Sequence, residues 1–292
     1  MRRALTFIAA SIFLLFSPLA QTAHADKFVA MLENQHDYFW QLLSAALLAA
    51  DGNHTLLTYK FDDSIPQSRV LRAMLDDSAP YNVTFTGHNA EREALMHQID
   101  IPLTRGLYGY RVFVIHKSDA PLFKNIQSLK TLTDRISVGS GSSWPDTTIL
   151  KAAGFNVKTS NITTLWSMLA RGRFTAFPRS VYEVGSELKN RGNMVQGTPV
   201  MLEETIMLHY PFDLFLYLPP NEKRRADILE QGLRRIYTDG TFMEIFEKDT
   251  WIKAALEQIS KHNRKIITLK NPLNSERVNN IPAQYWHNFV GN

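Results

Sequence analysis

The sequence predicts an α/β protein folded as two lobes. Short β-branched and aromatic runs alternate with helical stretches along most of the chain, the pattern of parallel sheets covered by helices. The alternation starts afresh after an apolar strand, Tyr110 to His116. A length of 292 residues also suits two units of roughly 150 residues each.

Phe28 to Leu32 is strand-like, and Phe39, Leu42, Leu43, Ala46, Leu47 and Ala50 then recur at helical spacing up to Gly52. Thr55 to Phe61 reads as a strand, Ser64 can cap a helix carrying Val70, Leu71, Met74 and Leu75, and Tyr81 to Thr86 is the next strand. In the second round the strands are Ile136–Gly139, Phe155–Thr159 and Phe174–Phe177, with helices over 146–153, 163–171 and 180–190. Asp213 to Leu218 is an apolar strand, followed by a helix that ends near Gly240 and a shorter one over Phe242–Lys248. The expected division is 26–110 with about 211–265 as lobe 1, 111–210 as lobe 2, and 266–292 as an irregular tail containing Pro272 and Pro282.

Residues 1–25 read as an address rather than part of the fold. Arg2 and Arg3 precede an apolar run from Ala4 to Phe16, and Ala23-His24-Ala25 has the small-x-small pattern of a cleavage site. At ~1.5 Å per residue that run reaches only about 20 Å, short of a ~30 Å bilayer core. A cleavable secretory signal and a periplasmic location follow, with no membrane insertion of the mature chain.

Composition excludes several classes. Hydrophobic residues are 45% and charged residues 21%, which rules out a disordered chain. The formal charge is +4 and the basic residues are scattered, unlike the basic face of a nucleic-acid binder. The chain has no Cys, which removes disulfides, thiolate metal sites and Cys nucleophiles. Its nine His lack metal-ligand spacing, and no HExxH or GxSxG pattern occurs. Neither a catalytic group, a metal nor a cofactor is expected.

Three segments could carry binding chemistry. Ile136 to Asp146 takes a strand through Gly139-Ser140-Gly141-Ser142-Ser143 into a helix; free N–H groups and hydroxyls there suit an anion or carboxylate, with Trp144 as a wall. The plainer role is a tight turn with Asp146 as helix cap. Thr84 to Glu93 leaves a strand end, where open α/β sheets bind ligands, and Arg92 could grip a carboxylate bidentately or form a surface ion pair with Glu91, Glu93 or Asp100. In Arg171 to Glu183, Arg179 sits at an expected helix start, where a cation is unhelpful; it serves either a ligand or a salt bridge to Glu183 or Glu187.

These segments, with Ile101-Pro102-Leu103, Gly109 to Phe113, Gly172-Arg173-Phe174 and Asp239-Gly240-Thr241, resemble the periplasmic solute-binding proteins of family 3, close to the amino-acid ABC transporter substrate-binding proteins. The resemblance covers nearly all of 26–250. It implies a type II periplasmic-binding fold with a hinge and a central ligand cleft, and a small-molecule solute as ligand. An inner-membrane permease or the periplasmic domain of a signalling receptor would be the partner. It places the ligand carboxylate on Arg92, with Thr86 and Ser142 or Ser143 completing the seat, and makes Tyr38, with Trp40, an aromatic platform. Gly-Ser-Ser-Trp-Pro-Asp and Phe-Pro-Arg mark a divergent subgroup. The family's Asp for a ligand ammonium is missing near Arg179-Ser180, so Arg179 favours a carboxylate-bearing or anionic solute. The rival readings are an enzyme on this fold with His36, His88 or Glu183 as acid/base groups, and an interaction module without a transport role.

Overall fold

The computed structural model describes residues 25–32, 37–60, 65–191, 200–260, 263–287 and 289. The first half contains β1 (Lys27–Met31), α1 (Tyr38–Ala49), β2 (Thr55–Tyr59), α2 (Gln67–Leu75), β3 (Thr84–Gly87), α3 (Ala90–Leu95) and β4 (His97–Ile99). The second contains β5 (Tyr110–His116), α4 (Leu129–Arg135), β6 (Ser137–Gly141), α5 (Pro145–Ala152), β7 (Asn156–Ser160), α6 (Ile162–Ala170), β8 (Ala176–Ser180), α7 (Val184–Arg191), β9 (Val200–Leu202) and β10 (Ile206–His209). After these come β11 (Leu214–Leu218), α8 (Lys223–Thr238), α9 (Thr241–Lys248), α10 (Thr250–Ser260), β12 (Lys265–Thr268) and α11 (Glu276–Asn279).

The two halves share one strand order. In the first, β2 pairs with β1 in parallel, a parallel bridge from Ala30 to Val83 leads to β3, and β11 lies antiparallel between β3 and β4. In the second, β7, β6 and β8 run in parallel, and β5 lies antiparallel between β8 and β10. Each half thus has an antiparallel strand in fourth place. β5 enters the second sheet straight from the first half, and β11 returns to the first sheet straight from the second. The chain crosses between the sheets at 100–109 and 210–213, the expected hinge.

Amphipathic spacing explains the packing. Asp37 caps α1 by accepting from the Phe39 N–H at 3.1 Å, and Phe39, Leu42, Leu43, Ala46 and Leu47 are all buried. That face packs on α8, where a Cβ at Gly232 would lie 1.9 Å from the Ala46 carbonyl; only glycine permits this approach. The central strands β5, β8 and β11 are buried on both faces, as expected of strands covered by helices on each side.

The tail departs from the expectation of irregular chain. β12 adds to the second sheet as a parallel neighbour of β10, because Ile266, Ile267 and Thr268 precede Pro272 and are free to pair. The chain then returns to the first half. Val278 of α11 joins that core, Arg277 pairs with Asp100 at 2.6 Å, and the His287 N–H donates to the Arg105 carbonyl at 2.9 Å. Residues 269–287 form a strap over the hinge, and the lobe 1 segment expected to reach about 265 ends before β12. β8 also runs on to Ser180, so Arg179 lies within a strand rather than at a helix start. Among the described residues no helix is long and apolar enough to cross a membrane, and no group of three or more His, Cys, Asp or Glu is placed to hold a metal.

Candidate functional site

A cavity of about 330 Å³ opens between the halves. The first half supplies Gln67, Val70, Leu71, Phe85 and Thr86, the crossings supply Tyr108 and Leu214, and the second half supplies Ser142, Ser143, Trp144, Arg179, Glu183 and Glu187. Of the residues expected at the site, Thr86, Ser142, Ser143, Trp144 and Arg179 line this space, and Arg92 stands directly behind it.

Arg92 is turned inward. Asn89 caps α3 by accepting from the Arg92 N–H at 2.8 Å, which aims the side chain back along β3. One terminal nitrogen donates to Thr86 Oγ1 and to the Gly87 carbonyl, both at 2.7 Å. The other donates to Gln67 Oε1 at 2.8 Å and to the Ser143 carbonyl at 3.1 Å. All four acceptors are neutral, and among the described residues no carboxylate is paired with this guanidinium. Burial lowers its pKa, opposed in part by Tyr217, Asp146 and Glu91. The surface ion pair is absent because Glu93 instead accepts from the Ser275 hydroxyl at 2.5 Å and Asp100 pairs with Arg277.

Arg179 is committed differently. Its Nε donates to Glu187 at 2.6 Å, and a terminal nitrogen donates to Glu183 and Glu187 at 2.7 Å. The guanidinium packs over Trp144 at 4.7 Å and Phe177 at 5.1 Å, a favourable cation–π arrangement. Burial alone would lower its pKa, but Glu183 and Glu187 hold it above the ordinary value. The expected preference of Arg179 for an extra anion is therefore corrected: two carboxylates of the same chain already occupy it.

The Gly/Ser turn is built around Trp144. A Cβ at Gly141 would lie 2.3 Å from the indole, so the ring can rest on the end of β6 only because residue 141 is glycine. Ser142 and Trp144 N–H groups are spent on Ser160 and Gly141 carbonyls, and the buried Ser140 hydroxyl lies 2.8 Å from Thr147 Oγ1. Asp146 is not the helix cap. Trp144 occupies that position without a side-chain bond, and Asp146 reaches Arg111 at 2.8 Å and accepts from the Tyr210 hydroxyl at 2.5 Å.

Arg111 falls within the Gly109–Phe113 segment of the resemblance but was assigned no role there, yet it organises the hinge side of the site. It is 1% exposed, pairs with Asp146, and lies 3.8 Å from Glu183. Tyr108, Tyr210 and Phe212 surround it at 5.0–5.5 Å. Asp146 is the largest influence raising its pKa against burial. The Tyr108 hydroxyl donates to Glu183, so Glu183 joins both arginines. A lone charged residue in the apolar strand Tyr110–His116 was the available signal. Gln67 offered none.

Tyr38 is corrected as an aromatic platform. It is 2% exposed, donates to the Leu103 carbonyl at 2.7 Å, and packs on Phe39, Tyr182 and Phe246, away from the cavity wall. The apolar N-terminal turn of α1 is drawn into the core, and the ring follows it. Trp40 likewise packs against that core. Of the acid/base candidates, only Glu183 lines the cavity. His88 is buried behind β3 against Gln98 at 2.8 Å, and His36 lies outside the described residues.

No protein-family profile matches the sequence, and no curated protein is similar to it. Solved structures are similar in fold. An ancestral arginine-binding protein bound to arginine shares 15% identity at a TM-score of 0.54, covering 77% of this chain and 97% of its own. An amino-acid ABC transporter substrate-binding protein from Streptococcus pneumoniae bound to L-arginine shares 13% at 0.54, covering 78% and 95%. A third, the substrate-binding protein of an amino-acid ABC transporter, shares 12% at 0.52, covering 79% and 100%. The chain has the two-lobed α/β fold of the amino-acid ABC transporter substrate-binding proteins.

Proposed function

We propose that the protein is a periplasmic solute-binding protein that captures a small carboxylate-bearing solute between its lobes and delivers it to an inner-membrane permease or a signalling receptor. The observation that carries this reading is Arg92, a buried cation beside the cleft whose hydrogen-bond acceptors are four neutral oxygens. A buried charge without a counter-ion is costly, and a solute carboxylate removes that cost with bidentate geometry. The rest of the cleft narrows the solute class. Among the described groups around it, Arg92, Arg111 and Arg179 balance Asp146, Glu183 and Glu187, so a zwitterion disturbs the balance less than a dianion. Glu183 and Glu187 are committed to Arg179, and Trp144, Phe85, Val70 and Leu71 supply apolar wall. Closure around the solute must rest on its higher affinity for the closed form.

The test is a thermal-shift screen of residues 26–292 against amino acids, dicarboxylates, polyamines and sugars. A solute at 100 times its Kd adds ~2.7 kcal/mol of stability. The reading requires a rise with a carboxylate that Arg92→Ala abolishes and Arg92→Lys weakens. A hit only among sugars or carboxylate-free amines sinks it.

A further inference from the structure

Two of the acceptors on Arg92 belong to β3, the strand that leads into its helix: Thr86 Oγ1 and the Gly87 carbonyl. The third, the Ser143 carbonyl, belongs to the backbone of the opposite lobe. The fourth differs in kind. Gln67 Oε1 sits at the end of a flexible, half-buried side chain on the first residue of α2, and Gln67 also lines the cavity. An amide oxygen offers a cation only a dipole, so a carboxylate at the same place binds more strongly by a full charge. Rotating the amide away costs one bond and turns its NH2 donors toward the incoming oxygens.

We propose that Gln67 is the internal occupant of the Arg92 anion seat, holding the guanidinium position that a solute carboxylate takes over, and so sets which solutes enter. The assignment rests on the reading that the solute carboxylate is bound at Arg92. Gln67 keeps the buried arginine hydrogen-bonded while the cleft is empty, and it makes every candidate solute compete with an amide already in place. A hydroxyl gains nothing by that exchange, whereas a carboxylate gains a charge.

The experiment follows thermal unfolding of the wild type, Gln67→Glu, Gln67→Met and Arg92→Met from pH 3 to pH 8 without solute, with the double variant Q67E/R92M. Gln67→Glu places a permanent carboxylate on the guanidinium. It should raise the melting temperature by about 2–6 °C near neutral pH. Pairing depresses the pKa of the new carboxyl, so the gain should vanish as pH falls through its folded value, and it should be absent on the Arg92→Met background. Gln67→Met, similar in shape without the acceptor, should lower the melting temperature. A Gln67→Glu variant no more stable than wild type, or a gain with no pH dependence, overturns the proposal; either result is readable if Arg92→Met fails to fold.

The same variants are then titrated with L-arginine, L-glutamine and L-glutamate. Gln67→Glu should lower the response to any of these that stabilises the wild type by tenfold or more. If Arg92→Met keeps the response, the functional reading fails. If Arg92→Met loses it while Gln67→Glu keeps it, the Gln67 assignment alone fails. If none of the three stabilises the wild type, the solute-free profile decides.

Discussion

Asp213, on the return crossing, accepts from both the N–H and the hydroxyl of Thr104 on the outward crossing, at 2.9–3.0 Å. The Gly106 and Leu214 N–H groups converge on the same carboxyl. One side chain therefore ties the two hinge segments. Burial pushes its pKa up to about 7, against the pull of those donors. A carboxyl whose folded pKa is raised stabilises fully below its unfolded value, near 4, and loses that contribution as pH rises through about 7. Relative to Asp213→Asn, which does not titrate, wild-type stability in urea should be greatest at pH 4. The difference should shrink toward pH 8 with a slope of at most about 1.4 kcal/mol per pH unit.

Replacing Glu187 by Gln takes from buried Arg179 a carboxylate that meets it at two points. Breaking a buried pair by removing one partner costs roughly 3–5 kcal/mol. Glu183 remains in contact, so a loss of about 2–3 kcal/mol is expected in denaturant unfolding. Arg179→Met together with Glu187→Gln should be less damaging than the two single costs combined, since neither charge is then stranded.

Adding one methyl group at Gly141 drives a Cβ into the Trp144 ring. Gly141→Ala should cost about 1–3 kcal/mol and displace the indole from Arg179. Trp fluorescence should shift to the red, and solute affinity should fall without any change in charge. An unchanged emission spectrum would contradict the packing.

Tyr38→Phe removes only the bond to the Leu103 carbonyl. Stability should fall by about 1 kcal/mol, while affinity for a solute stays within twofold. A large affinity loss would return Tyr38 to the cleft.

Elements whose cause is local were the legible ones. Residues 39, 42, 43, 46 and 47 announce α1 by spacing, and Tyr110–His116 reads as a strand because five of its seven residues are aromatic or β-branched strand formers. β12 and β9 were missed since three or four residues carry no period, and only a partner strand already in place makes them strands. At the site, the sequence singled out Arg92 and offered Glu183 or Glu187 as a salt-bridge partner of Arg179; the structure puts Arg92 beside the cavity and forms both of those pairs. Arg111 and Gln67 were not, because their roles come from tertiary neighbours. Asp146 lies 35 residues from Arg111, and Arg92 lies 25 from Gln67.

The exchange of β5 and β11 between the sheets has a kinetic consequence. β11 must join β3 across the length of the intervening half, Thr86 meeting Phe215, and β12 must find β10 after three helices have intervened. Contacts so distant along the chain carry a large loop-closure cost before they return any stability, which slows folding. The first sheet lacks its antiparallel strand until Leu218 has been synthesised, and the second lacks its edge until Thr268. A nascent chain therefore stays without its final cores until both of these strands have been made, a state compatible with passage through a narrow pore before folding begins.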